Sequence, residues 1–159
     1  MTQPLRLRRS ARVFLFDERG DVMLIRFHAQ RTDGPYTCWV TQGGEVEPDE
    51  SDRATAEREL FEELGIRSEL VGPVHEASGG EYEHLGEVVR NFDVFFAAQC
   101  ERSEPKLTGV TADDIALMQE ARWWPREALK SAAEPVFPVD IVEVAETVWE
   151  RVREGNKAG

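Results

Sequence analysis

Short apolar runs separated by polar segments dominate the N-terminal part of the chain. The runs at residues 11–16 and 22–27 are rich in Val, Ile, Leu and Phe, and the polar, glycine-containing segment between them has the composition of a turn. They therefore predict two strands that pair as a hairpin. Residues 28–37 are polar and include a Gly-Pro pair, which favours a loop, and residues 38–40 form one more short apolar segment.

Strand patterns return in the second half of the chain. Residues 69–77 and 87–99 predict strands, because they are rich in β-branched and aromatic side chains. Residues 101–119 are polar, with Pro and Gly, and predict a long loop that holds at most one helical turn. A short strand is expected at 121–124. Proline fits the first position of a helix, so a helical turn is expected over 125–129.

Helical periodicity is confined to two segments, residues 51–64 and 139–153. Ser51 or Asp49 can cap the start of the first helix, and Gly65 follows its end, where a left-handed residue is favoured. The second helix has its apolar residues on one side, which predicts that it packs on a core. Helices and strands thus alternate irregularly along the chain, as they do in proteins with a mixed sheet.

The length of 159 residues predicts one domain, 1–159, with enough chain to bury a core. Residues 1–9 and 155–159 are expected to be flexible tails. The fold class indicated by these elements is α/β, with a mixed sheet flanked by helices.

Charge and composition exclude some classes of function. The net charge of −12 argues against binding double-stranded nucleic acid or an anionic membrane through basic patches. The first apolar run is interrupted by Arg12 and Asp17, so a signal peptide is not expected, and no stretch is long enough to span a membrane. A cytoplasmic location is the default expectation. Cys38 and Cys100 match neither a disulfide framework nor a zinc pattern and are expected to be reduced thiols.

Acidic residues are concentrated between Glu45 and Glu63. This segment contains nine acidic residues and two arginines. On a helix at roughly 100° per residue, Glu59, Glu62 and Glu63 share an arc of roughly 100°. The apolar side chains fall on a separate arc that is expected to pack on the sheet: Leu60, Phe61 and Leu64. Three carboxylates on one turn suit a hard cation such as Mg²⁺. A solvated acidic face is the alternative.

The segment before this helix helps to decide between a cation site and a solvated acidic face. Two glycines, Gly43-Gly44, allow a sharp bend. From Gly44 the chain continues with five residues, Glu50, seven residues, and then Arg58-Glu59-Leu60-Phe61-Glu62-Glu63-Leu64-Gly65-Ile66. This segment resembles the Nudix box of the Nudix hydrolase family at every specified position. Many members have proline before the two glycines, whereas this chain has Thr41-Gln42.

The resemblance implies a Nudix-type α/β/α sandwich around a mixed sheet. It also implies Mg²⁺-dependent hydrolysis of a diphosphate linkage in a nucleoside diphosphate derivative by metal-activated water, with Mn²⁺ as a second usable ion. The residues at the positions of family metal ligands are the Gly43 carbonyl, Glu59, Glu62, Glu63 and, more peripherally, Glu50. Arg58 matches a residue that orients these carboxylates. The resemblance allows a homodimer.

The general base varies within the family and is either a glutamate of the box or an acid from a later loop. The loop candidates here are Glu120, Asp113 and Asp114. Residues outside the box usually select the substrate. The candidates to contact it, each also interpretable as an ordinary surface or partly buried residue, are Arg26, Arg31, Tyr82 and Arg90.

Alternative functions remain open at this point. The partner is expected to be a small-molecule phosphoanhydride, and diadenosine polyphosphates and RNA 5′ ends are two narrower substrate classes. A non-catalytic, Nudix-like nucleotide-binding module would keep the fold without the reaction, although the complete set of acids argues against it. A plain acidic interaction domain would show no response to magnesium.

Overall fold

Within residues 5–84, 86–107 and 118–158, which the computed structural model describes, eight strands form one mixed sheet and two α-helices flank it. In chain order the elements are β1 (Arg6–Phe16), β2 (Val22–Arg31), β3 (Gly34–Val40), β4 (Gln42–Glu45), α1 (Asp52–Leu64), β5 (Val71–His84), β6 (Glu87–Gln99), β7 (Met118–Trp124), a 3₁₀ helix (Arg126–Ser131), β8 (Val136–Phe137) and α2 (Ile141–Ala158).

The sheet divides into two wings at strand β1. Its order is β5-β6-β1-β2-β3-β8, with β4 also paired to β1 and β7 also paired to β2. A hairpin of β1 and β2 was expected. The two strands pair only at Phe16 and Val22, next to the turn, so the expectation is wrong for the rest of their length. Further along, the same edge of β1 pairs with β4 over residues 10–13. We call β5-β6-β1-β4 the first wing and β7-β2-β3-β8 the second wing.

The loop expected at residues 28–37 is a hairpin instead. Strands β2 and β3 pair from Ile25 opposite Val40 to Arg31 opposite Gly34, so the connection has two residues, 32 and 33. Polar side chains bond to each other across these strands, as His28 Nδ1 and Thr37 Oγ1 do at 2.7 Å. Cross-strand pairing of this kind stabilises strands that lack an apolar alternation.

Alternating side chains of β1 build the two cores. One core faces α1 and includes Ala11, Val13, Leu15, Ala56, Leu60 and Leu64. The other faces α2 and includes Phe14, Phe16, Ile141, Ala145, Val148, Trp149 and Val152. A sheet covered by a helix on each face is the α/β/α arrangement, so the expected fold class is confirmed.

The helix boundaries follow the predicted signals. Ser51 Oγ accepts a hydrogen bond from the Ala54 N–H at 3.1 Å, and Gly65, with φ 68°, closes α1 through its N–H to the Phe61 carbonyl. The 3₁₀ helix begins directly after Pro125. Strand β1 and helix α2 include residues 6–9 and 155–158, which were expected in tails. Neither helix in the described part of the chain is long and apolar enough to cross a membrane.

The expectation that Phe61 packs on the sheet is wrong. Phe61 is 43% exposed, and the Arg67 guanidinium lies 4.0 Å from its ring centroid. The buried side of α1 is instead centred on Leu60 and includes Glu63. The acidic and apolar sides of this helix therefore overlap, and one acid of the box is turned toward the protein interior.

Gly20 fixes the turn between β1 and β2 against α2. Its φ is +86°, and an added Cβ would lie 2.7 Å from Trp149 Cε2. We expect Gly20→Ala to lower the free energy of unfolding by about 2–4 kcal/mol, since a left-handed alanine and a displaced core side chain both cost free energy. Gly86→Ala is the matched control, because Gly86 has φ +80° and open space around it. Equal losses in the two variants, measured by denaturant unfolding, would contradict the role of the Trp149 contact.

Candidate functional site

Strand β4 and helix α1 meet at two glycines. The Gly43 N–H donates a hydrogen bond to Glu63 Oε1 at 3.0 Å. A Cβ on Gly44 would lie 2.4 Å from Glu59 Oε1, so only glycine leaves room for that carboxylate. Gly43 is equally confined, because a Cβ there would lie 2.4 Å from the Ala11 carbonyl oxygen. The two glycines thus let two glutamates rest directly on the strand backbone.

Arg58 holds three of the acids by hydrogen bonds. Its Nε and Nη2 donate to the two oxygens of Glu50 at 2.7 and 2.8 Å. Its Nη1 donates to Glu59 at 2.9 Å and to Glu62 at 3.1 Å. Thr55 Oγ1 also donates to Glu50 at 2.8 Å. Bonds from Arg58 first and Thr55 second lower the pKa of Glu50 to about 2, so Glu50 is a fixed anion that keeps Arg58 in place.

Glu63 and Glu59 form a pair of like groups at the inner end of this arrangement. Glu63 is 5% exposed. Its burial, and next the charge of Glu59, raise the pKa of Glu63 well above its usual value. The two carboxyl groups also share a hydrogen bond. Two carboxyl groups this close can be balanced by a shared proton or by a divalent cation.

The donor set fits a hard cation. The candidate ligands are oxygens only, from Glu59, Glu63 and the Gly43 carbonyl, and Mg²⁺ prefers such ligands together with waters and phosphate oxygens. Glu62 lies at the rim, with its side chain 51% exposed. In the described ranges, no three His, Cys, Asp or Glu side chains are arranged around one ion position.

Glu120 lies away from this helix. It is on β7 opposite Arg26 of β2, and its carboxylate accepts a hydrogen bond from Arg122 at 3.0 Å. Alternate residues of β7 face opposite layers, and Trp124, on the same face as Glu120, packs in the core that α2 covers. Glu120 is therefore on the face opposite α1. Asp113 and Asp114 lie outside the described residues.

The four candidate substrate contacts occupy different places. Arg26 forms an ion pair with Glu134 at 2.8 Å, beside a cavity of about 590 Å³ lined also by Trp39 and Trp124. Arg90 is exposed, 3.7 Å from Glu81. Two of the four approach each other: the Arg31 guanidinium lies 5.8 Å from the Tyr82 ring centroid, although the residues belong to different wings.

Strand β1 adds two arginines that the sequence did not single out. Arg8 Nη1 donates to Tyr82 Oη at 3.4 Å and to Asn91 Oδ1 at 3.3 Å. Arg12 forms an ion pair with Asp93 at 3.2 Å and donates to the Thr41 carbonyl at 2.8 Å. The strand period of two puts Arg8 and Arg12 on one face, and this was the available signal. We call Arg8, Arg12, Arg31, Tyr36 and Tyr82 the arginine cluster.

Comparisons with known proteins agree on one family. A sequence model of the NUDIX domain matches residues 6–144. The structure of the MutT protein from Methanosarcina mazei Go1 is similar, with a TM-score of 0.66 at 21% identity, covering 98% of this chain and 99% of that one. The Escherichia coli dihydroneopterin triphosphate pyrophosphohydrolase has a TM-score of 0.66 at 18% identity, covering 93% and 99%. Likenesses at these identities show the fold.

One curated relative is an isomerase by name. The isopentenyl-diphosphate Delta-isomerase of Streptomyces coelicolor is 37% identical over 81 residues, which are 51% of this chain and 40% of that protein. The chain thus spans less than half the length of this relative.

Proposed function

Because the chain belongs to the Nudix hydrolase family, we propose that it hydrolyses the diphosphate linkage of a nucleoside diphosphate derivative with Mg²⁺ held by the glutamates of α1. The observation that carries this proposal is the close pair of Glu59, which is half-buried, and Glu63, which is buried, against Gly43 and Gly44. Such a pair concentrates negative charge beside a part of the strand that has no side chains, at Gly43 and Gly44. The match to the NUDIX domain shows the family, and the hydrolysis of a nucleoside diphosphate derivative is the proposal.

The residues divide into ligands and supports. Glu59, Glu63 and the Gly43 carbonyl would hold the ion, with Glu62 reaching it from the rim. When bound, Mg²⁺ neutralises diphosphate oxygens and lowers the pKa of water. Arg58, fixed by Glu50, keeps Glu59 and Glu62 oriented.

A screen of diphosphate compounds tests the proposal. We expect products only with Mg²⁺ or Mn²⁺, none in EDTA, and recovery when Mg²⁺ is restored. Product masses after reaction in H₂¹⁸O identify the phosphorus that water attacks. Cleavage that continues in chelator would count against the metal.

Magnesium alone gives a second readout. Saturating Mg²⁺ is expected to raise the free energy of unfolding by about 2.7 kcal/mol at one hundred times its Kd, because an ion that binds only the native state stabilises it. The Glu59→Gln variant should lose this gain. A gain that persists in the variant would place the ion elsewhere.

An isomerase is the second candidate, favoured by the 37% identity to the isopentenyl-diphosphate isomerase over 81 residues. The screen therefore includes isopentenyl diphosphate. A rearranged product without phosphate release would support isomerisation. Binding of nucleotides with no product from any compound would support a binding module.

A further inference from the structure

Two buried guanidinium nitrogens of the arginine cluster have no hydrogen-bond partner. They are Arg8 Nε and Arg31 Nε, one from each wing of the sheet. Buried polar atoms in folded proteins are nearly always bonded, and an unbonded charged donor is costly. A donor left in this state marks a place where a ligand or an ordered water completes the bonding.

The positive charges of the arginine cluster are only partly balanced by acidic side chains. Arg12 is paired with Asp93, whereas Arg8 Nη1 donates to neutral groups: Ser10, Tyr82 and Asn91. Neither Arg8 nor Arg31 forms an ion pair within the part of the chain that the structure describes. Glu83 accepts hydrogen bonds from Thr32, which lower its pKa most, and the charge of Arg31 lowers it further without a direct ion pair. A positive charge is thus kept here in a protein with a net charge of −12.

Arg8 and Arg31, one from each wing, both lie against Tyr82. The Arg31 guanidinium is stacked 4.0 Å from the Tyr36 ring centroid and lies 5.8 Å from that of Tyr82. Burial raises the pKa of the Cys38 thiol to about 11, although Arg31 and Arg12 lie near enough to lower it. The charges of Arg12 and Arg31 therefore both act on Cys38. The arginine cluster also adjoins the box, because Arg12 donates a hydrogen bond to the carbonyl of Thr41, two residues before Gly43.

We infer that Arg8 and Arg31 bind a phosphate monoester of the substrate, a group separate from the diphosphate that is cut. The substrate class is then a nucleoside diphosphate derivative with an additional phosphate. This inference rests on the proposed function for the hydrolysis. It adds that the substrate carries a phosphate group besides the diphosphate. A phosphate suits the site because its tetrahedral oxygens accept from two planar guanidinium forks at once.

Binding of inorganic phosphate in EDTA tests the site without metal. Calorimetry at millimolar phosphate is expected to show binding that Arg31→Gln weakens tenfold or more, with partial recovery in Arg31→Lys. Arg8→Gln is the second variant, and Arg153→Gln, an exposed change on α2, is the control that should bind as the parent does. Melting without phosphate confirms that each variant is folded. Binding unaffected by either cluster variant, or equal binding of acetate, would overturn the inference.

Hydrolysis of matched substrates in the presence of Mg²⁺ is the second test of the inference. The pairs are NADPH against NADH, and coenzyme A against its form without the 3′-phosphate. We expect at least one phosphorylated member to have a kcat/KM ten times higher, and this ratio to fall toward one in Arg31→Gln and Arg8→Gln. Ratios near one in the parent enzyme for both pairs overturn the inference. If no compound is cut, the proposed function fails for them, and the phosphate titration in EDTA decides the inference by itself.

Discussion

The Glu59→Gln variant is expected to have a kcat roughly a hundred to a thousand times lower than the parent enzyme, with its fold unchanged. Glutamine keeps the shape of the side chain but removes the charge that lies against Gly44 and beside Glu63. The loss should fall mainly on kcat, since an ion that stabilises charge in the transition state contributes most there. Steady-state kinetics at saturating Mg²⁺ measure the effect.

Glu57→Gln is the matched control for this variant. Glu57 is on the same helix and is exposed, so the same chemical change removes a charge without touching the pair. We expect its kcat to stay within twofold of the parent. Comparable losses in both variants would mean that the overall charge of α1, and not the position of Glu59, is responsible.

The Gly44→Ala variant is expected to lose roughly a hundredfold in kcat, although it adds one methyl group. The new Cβ would lie 2.4 Å from Glu59 Oε1 and 2.5 Å from its Cδ, so the carboxylate must move. Displacing a catalytic group by about 1 Å costs rate on the order of a hundredfold. Activity and the Kd for Mg²⁺ should deteriorate together, which kinetics and calorimetry can follow.

Gly80→Ala controls for the loss of a flexible residue. Gly80 is also in a strand and has nothing within 4 Å of the added Cβ, so this variant should keep its activity. A fully active Gly44→Ala enzyme would show that Glu59 moves without consequence, which would remove it from the ion site.

The candidate metal site could be foreseen because one helix carries it. Angles between Glu59, Glu62 and Glu63 follow from the helical repeat, and the caps at Ser51 and Gly65 fix the ends of that helix. The helical repeat does not show how deeply each side chain is buried. The side of α1 that meets β4 depends on strand pairing, and so the burial of Glu63 and the exposure of Phe61 were not predicted.

The arginine cluster was out of reach for a different reason. Arg8, Arg31 and Tyr82 lie on three strands far apart in sequence, and only the sheet order brings them together. The hairpin at residues 28–37 was missed as well, because its polar side chains bond across the strands and leave no apolar alternation to detect. Local pattern therefore identified the site on one helix but not the site shared by several strands.

Strand β1 puts a strict limit on insertions and deletions. Its odd positions, such as Val13, enter the core under α1, while its even positions supply Arg8, Arg12 and then Phe14 to the other side. Adding or removing one residue within the strand would exchange these faces, sending the guanidinium groups under the helix and aliphatic groups to the side of the arginine cluster. Length variation among homologous chains is therefore expected to fall outside β1, even where the identities of its residues drift.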